Sequence, residues 1–284
     1  MRILVLGAAG MAGHTIAIYL AEKGHDVTAF TRKPFIYPHC QNIVGDAMDD
    51  ESFKNLLQGD YDLIINCIGL LNKAAEDNHT RAVYLNSYIP HFIADTIKNT
   101  QTRLIHISTD CVFSGDTGGY TEGSTRDSET FYGRTKAMGE IDDKINLTLR
   151  TSIIGPDINP DGIGLFNWFM KQEGEITGYA CAMWSGITTL TLAKAIEQAE
   201  GLSGLYNLTS ARSISKYDLL RLFSQAFKND SVSIQPVFEP VVDKSLQCLR
   251  RDFTYEILDY TQMICEMKSW MDEHSALYPQ YYGN

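Results

Sequence analysis

Met1-Arg2-Ile3-Leu4-Val5-Leu6 runs straight into Gly7-Ala8-Ala9-Gly10-Met11-Ala12-Gly13, and this stretch decides the fold. The first part is apolar and of strand length, and beyond Gly13 the residues Ile16, Ile18, Tyr19, Leu20 and Ala21 fall in a helical pattern. Strand, glycine turn and helix in that order cradle a pyrophosphate. Gly7 permits the tight turn, Gly10 lets the backbone approach the phosphates, Gly13 allows close helix–strand packing, and the helix opening at Met11 attracts negative charge. The spacing is G-x-x-G-x-x-G, one residue longer in its first gap than the dinucleotide pattern G-x-G-x-x-G.

Outward from this turn, apolar strands alternate with helices as far as about residue 150. Strands are expected near 2–7, 26–30, 42–44, 62–67, 103–108 and 147–150, and helices near 11–23, 50–58, 80–98 and 131–143. That rhythm predicts an α/β fold, a doubly wound parallel sheet of Rossmann type with ligands at the carboxyl ends of its strands. A dinucleotide-binding domain over 1–150 is expected to be followed by a smaller α/β lobe over 151–284, mainly for substrate, in which some segments return to the first domain. The turn-rich loop Gly155–Gly162 marks the change, and a helix is expected at about 189–199.

The strand ends supply further candidates for the cofactor. The second strand finishes in Thr31-Arg32-Lys33, where no carboxylate stands to hold a ribose 2′-hydroxyl and two cations suit a 2′-phosphate. NADPH is therefore expected ahead of NADH, the alternative being an ordinary charged loop. Asp46 and Ala47 lie in a loop placed to touch the adenine, and Cys67-Ile68-Gly69 form a small-residue edge to lie along the cofactor. Asn86 falls mid-helix, where a buried amide is costly unless paired. It either satisfies a backbone kink or supports Lys136 through water.

Ser108-Thr109-Asp110-Cys111-Val112-Phe113 and Tyr132-Gly133-Arg134-Thr135-Lys136 carry the chemistry. Residues four apart share a helix face, so Lys136 is expected to hold its ammonium near the Tyr132 ring and lower the cost of a phenolate. A phenol of reference pKa about 10 is thereby brought towards working pH. Thr109 offers a hydroxyl to polarise a substrate carbonyl.

Composition narrows the class. With 44% hydrophobic and 21% charged residues over 284, the chain can bury a large core. The net charge of −11 argues against broad nucleic-acid binding. No apolar run reaches membrane-spanning length and Met1 opens directly into a strand, so neither membrane insertion nor a signal peptide is expected, and a cytoplasmic location is. The six cysteines include no C-x-x-C pair, and no metal-ligand spacing is visible.

On these residues the chain resembles the extended short-chain dehydrogenases/reductases, and more narrowly it is similar to the dTDP-4-dehydrorhamnose reductase family of sugar-nucleotide 4-ketoreductases. The resemblance rests on Gly7, Gly10 and Gly13, on Ser108-Thr109-Asp110 with Val112-Phe113, on Tyr120-x-Glu122, and on Tyr132-Gly133-x-x-Lys136-x-x-Gly139-Glu140, with Leu149-Arg150-Thr151-Ser152 fitting the next strand. It implies a catalytic Thr109, Tyr132 and Lys136, with NADPH as hydride donor. It also implies a nucleoside-diphosphate 4-keto-6-deoxysugar as substrate, contacted by Thr109, Asp110, Val112, Phe113 and Tyr132, in the making of cell-surface polysaccharide precursors. The related 4,6-dehydratases resemble S-T-D-E at the first motif. Here Cys111 replaces the Glu, a poor general acid at its reference pKa of about 8.5.

The second lobe departs from the family. In place of its Arg-Pro-x-x-Ser-x-Leu element stands a stretch running from Asp243-Lys244-Ser245-Leu246 to Arg250-Arg251-Asp252-Phe253. Together with Trp184-x-Gly186-x-Thr188-Thr189 this is similar to reductases of UDP-linked 2-acetamido-6-deoxyhexuloses. Lys244, Arg250 and Arg251 are candidates for the substrate diphosphate, the alternative being a surface salt-bridged to Asp243 and Asp252. Trp184 either stacks on a sugar or base or belongs to the core. A sugar-nucleotide epimerase and an NADP-binding regulatory subunit remain alternative functions, and the oligomeric state, a homodimer included, is left open.

Overall fold

The computed structural model describes residues 1–34, 37 and 39–282. Its centre is a seven-stranded parallel sheet built from β1 (Arg2–Leu6), β2 (Asp26–Thr31), β3 (Cys40–Val44), β4 (Leu63–Asn66), β5 (Arg103–Thr109), β6 (Leu147–Thr151) and β7 (Gly204–Asn207). The spatial order is β7-β6-β5-β4-β1-β2-β3, so the sense in which successive strands are added reverses between β1 and β4. Ligands of such sheets sit outside the carboxyl ends at that reversal. The strands at the centre are buried on both faces, which is why residues 3–6 of β1 and 63–65 of β4 read as unbroken apolar runs.

Around the sheet lie α1 (Met11–Glu22), α2 (Asp50–Leu57), α3 (79–97), α4 (Phe131–Met138) and α5 (Thr189–Glu197). Every residue of α1 from Gly13 to Ala21 is buried, because the helix is sandwiched between the sheet and α5, where Thr15 Oγ1 donates to Thr189 Oγ1 at 3.2 Å. The α3 segment is α-helical at both ends but passes through a π-helical turn at Val83–Tyr88. The expected helix over 131–143 stops at Met138. Gly139 caps it, and the chain then turns so that Glu140 can reach the Arg150 guanidinium at 2.8 Å.

After β6 the chain leaves the sheet, returns for α5 and β7, and leaves again for α6 (Lys216–Lys228) and α7 (Tyr260–Glu273). The outer part carries short strands: Ala182–Trp184 lies between Ile214–Ser215 and Val242–Asp243, and Glu175–Tyr179 pairs with Ser233–Val237. A bridge between Tyr120 and Leu246 ties this part to the loop after β5. The C-terminal tail comes back to α1, where Tyr278 meets His14 Nε2 at 2.8 Å.

Candidate active site

The glycine turn after β1 has the geometry its sequence implies. Gly7 adopts φ +75°, and a Cβ there would press on the Cys67–Ile68 backbone at 3.2 Å. At Gly13 a Cβ would collide with the Gly7 carbonyl oxygen, so only glycine lets α1 close on the strand. The first turn of α1 carries no side-chain cap and no acidic residue, which leaves its amide N–H groups and positive dipole end for an anion. At the end of β2, Thr31 is buried and donates to the Lys33 carbonyl at 2.7 Å, while Arg32 and Lys33 are exposed. The backbone cradle, the uncapped helix and these two cations together fit a dinucleotide phosphate.

Other expected cofactor residues are placed unequally. Met11 opens α1 and Gly69 is exposed beside Ile68 and Cys67 after β4, next to the turn. Asp46 is exposed and accepts from the Met48 N–H at 3.0 Å, whereas Ala47 is buried in an apolar cluster with Phe30 and Phe53. Asn86 is fully buried and its amide is committed: Oδ1 accepts from the Leu70 N–H at 2.7 Å, and Nδ2 donates to the Leu70 carbonyl and to Thr135 Oγ1. The expected cofactor contact is corrected to a brace between the loop after β4 and α4, made available by the π turn in α3.

At the carboxyl end of β5, Thr109, Asp110 and Tyr132 are brought together, all nearly buried. The Thr109 hydroxyl lies beside the Tyr132 phenol, donates to Asp110 Oδ1 at 3.2 Å and accepts from the Cys111 N–H at 3.1 Å. Tyr132 sits here because Thr130 caps α4 and because Glu76, unforeseen from sequence, accepts from the Phe131 and Tyr132 N–H groups. The motif glycines pack: a Cβ at Gly133 would strike the Cys111 carbonyl oxygen, and one at Gly139 the Asn86 carbonyl oxygen.

Electrostatics differ from the expected picture. Burial pushes the Tyr132 phenol up, the neighbouring Cys111 and Asp110 add to the rise, and only the Thr109 hydrogen bond opposes it. Lys136 does not lie against Tyr132; its Nζ donates to the Ile107 carbonyl at 2.7 Å and faces His106 Nε2 at 3.4 Å. The expected depression of the phenol by Lys136 is therefore corrected for the protein alone. A buried amine must find an acceptor, and the strand carbonyl supplies it. Burial in turn lowers Lys136 to about 8, against weaker upward pulls from Glu140 and Cys67. Burial and Asp110 push the Cys111 thiol up to about 12, so it stays protonated at neutral pH. Burial likewise raises the Asp110 carboxyl, opposed by Lys244 and by hydrogen bonds from Thr109, Cys111 and Ser152.

Four expected substrate contacts belong elsewhere. Val112 and Phe113 are fully buried, with Phe113 stacked on Tyr120 at 4.2 Å and under the Arg150 guanidinium. They form an apolar cluster with Tyr120 and Leu246, because apolar side chains following a buried strand end gain more from packing than from a wet cleft. Trp184 is a core residue: it packs on Tyr260 at 5.7 Å and its Nε1 donates to Ser152 Oγ at 2.8 Å. Arg250 binds Asp252, the Ser203 and Leu205 carbonyls and the face of Tyr206. That places it at the amino end of β7, about 13 Å of strand rise below Thr109. Of the three cations considered, Lys244 is the one whose charge reaches Asp110 and Cys111; Arg251 is exposed. Tyr120 and Glu122 of the Tyr-x-Glu motif act as ties, Glu122 accepting from the Asn207 and Leu249 N–H groups.

With this geometry, comparison with known proteins is decisive. Residues 1–154 match the RmlD substrate binding domain family. The chain belongs to that family. Among its relatives, the dTDP-4-dehydrorhamnose reductase of Mycolicibacterium smegmatis is 34% identical over 143 residues, 49% of this chain and 40% of that protein. A dTDP-4-keto-6-deoxy-D-glucose reductase of Streptomyces niveus is 27% identical over 250 residues, covering 83% and 82%. The chain spans about half the length of the first curated relatives it matches. In fold, it superposes on the dTDP-4-dehydrorhamnose reductase of Bacillus anthracis in complex with NADP with a TM-score of 0.79, at 22% identity over 94% of this chain and 98% of the other. The RmlD match ends just past β6, so the outer part of the chain lies outside it. Among the described residues no helix is long and apolar enough to cross a membrane, and no cluster of three or more His, Cys, Asp or Glu is arranged to hold a metal ion.

Proposed function

We propose that this chain uses NADPH to reduce the C4 keto group of a nucleoside-diphosphate 4-keto-6-deoxyhexose, a step in supplying cell-surface polysaccharide precursors. The observation that carries the reading is the meeting of the Thr109 and Tyr132 hydroxyls at the end of β5. Only β4 stands between β1 and β5 and all three run parallel, so the glycine turn and the hydroxyl pair lie at the same edge of the sheet. The activities named for the M. smegmatis and S. niveus relatives support the substrate class, and the NADP of the B. anthracis structure supports the cofactor.

When bound, the reduced nicotinamide supplies the hydride. Gly7, Gly10 and Gly13 would hold the pyrophosphate, and Arg32 with Lys33 would face the 2′-phosphate. Lys136 would give up its strand carbonyl for the nicotinamide ribose. Tyr132 donates a proton to the C4 oxygen, and its raised pKa keeps it in the protonated form that a donor needs. Thr109 hydrogen-bonds the same oxygen, stabilising charge that grows only in the transition state. Cys111, protonated and half-buried where a dehydratase would carry its acid, favours carbonyl reduction over elimination of water.

The test is isotope transfer. With NADPH deuterated at the nicotinamide C4, mass spectrometry of the product sugar nucleotide should show deuterium from one face of the ring at the sugar C4. NADPH binding without oxidation by any 4-keto sugar nucleotide would overturn the reading and favour a regulatory subunit.

A further inference from the structure

Asn66 ends β4 and His106 lies beside it in the register of β5; both are fully buried. Asn66 Oδ1 accepts from the Ile68 N–H at 3.0 Å, which fixes the amide, since an N–H needs an oxygen opposite it. The Asn66 amide nitrogen is then the group 3.2 Å from His106 Nδ1. Because that nitrogen is a donor, Nδ1 must accept, and a neutral imidazole with a bare Nδ1 carries its proton on Nε2. Burial keeps the ring neutral by holding it well below the ordinary histidine value. The Nε2–H therefore points at Lys136 Nζ, 3.4 Å away, and Nζ donates onward to the Ile107 carbonyl.

An ammonium has no lone pair to receive that N–H, whereas a free amine does. We propose that Asn66 and His106 are positioning residues for Lys136: Asn66 sets the histidine tautomer, and the His106 Nε2–H favours the free amine in the protein without dinucleotide. The other groups acting on Lys136 are Cys67 and Glu140, both of which favour the ammonium. Cys67 is a neutral thiol, pushed up to about 12 by burial, and Glu140 is bound to Arg150. The inference rests on the reductase reading for its purpose, since a lysine held by Ile107 and His106 would bind its proton more firmly only once the dinucleotide draws it away.

Two readouts test it without turnover. In the full chain labelled with 15N-histidine, NMR at neutral pH should show His106 protonated on Nε2 and bare on Nδ1; an Nδ1–H ring or an imidazolium overturns the proposal. Lysine 13Cε NMR, with the signal assigned through Lys136→Met, gives the midpoint directly. In Asn66→Asp the carboxylate would accept from Nδ1 and turn Nε2 into an acceptor for the ammonium, so the midpoint should rise by on the order of one unit. His106→Phe should also raise it, by removing the donor. An unchanged midpoint in a folded variant contradicts the proposal, and should neither variant fold, the wild-type tautomer decides alone. Failure of the wild type to oxidise NADPH with any 4-keto sugar nucleotide would instead remove the reductase reading and leave the hydrogen-bonded chain intact.

Discussion

Lys136 Nζ donates to the carbonyl oxygen of Ile107 at 2.7 Å, two residues before Thr109 on the same strand. The lysine that the helix spacing pairs with Tyr132 is thus held by β5 in the protein alone. Its folded pKa of about 8 lies below the value of an exposed lysine. The unfolded chain binds the extra proton between those values, so burial of Lys136 is destabilising below pH 8 and the penalty fades as pH rises towards 10. Compared with Lys136→Met by urea unfolding, the wild type should gain about 3 kcal/mol over that window. Parallel stability curves for the two proteins would contradict the burial argument.

Gly13→Ala should disable the cradle. The added methyl meets the Gly7 carbonyl, a backbone atom with no room to move, so overpacking should cost about 1–3 kcal/mol. Fluorescence titration with NADPH should show binding weakened at least about tenfold, an amount equal to about 1.4 kcal/mol. Unaltered affinity in a folded Gly13→Ala protein would mean that the pyrophosphate lies elsewhere.

The second-lobe cations should separate by function. Lys244 acts on Asp110 at the site, whereas Arg250 is bound to Asp252 and backbone carbonyls at the far end of β7. Lys244→Ala should raise the KM for the sugar nucleotide about tenfold, the loss expected for one charge-assisted contact. Arg250→Ala should leave KM unchanged. The reverse pattern in steady-state kinetics would restore Arg250 to the substrate.

How far the sequence was legible follows from the range of the forces involved. The sheet and its helices were readable because buried parallel strands are continuous apolar runs and glycine turns are local. The end of α4 was not, since a glycine such as Gly139 only weakens a helix; the turn there is fixed by the buried pair of Glu140 with Arg150 ten residues away. Asn86 was legible as a buried amide in need of partners, but the π turn that aims it at Leu70 and Thr135 was not. Trp184 and Arg250 stayed open between two readings for one reason. Their residue types suit ligands as well as cores, and only the tertiary fold puts Tyr260 over the one and Asp252 beside the other. His106 escaped notice because a histidine inside an apolar strand carries no spacing signal of its own.

The central claim is that Tyr132 is the proton donor of a carbonyl reduction. Its most direct test is the rate of NADPH oxidation with a 4-keto-6-deoxy sugar nucleotide by the wild type and by Tyr132→Phe, with NADPH affinity measured in parallel. The phenyl ring keeps the packing of α4 and lacks only the hydroxyl beside Thr109. A loss of about 10²–10⁴-fold in kcat with NADPH affinity retained is the predicted result. A Tyr132→Phe protein turning over at the wild-type rate would contradict it.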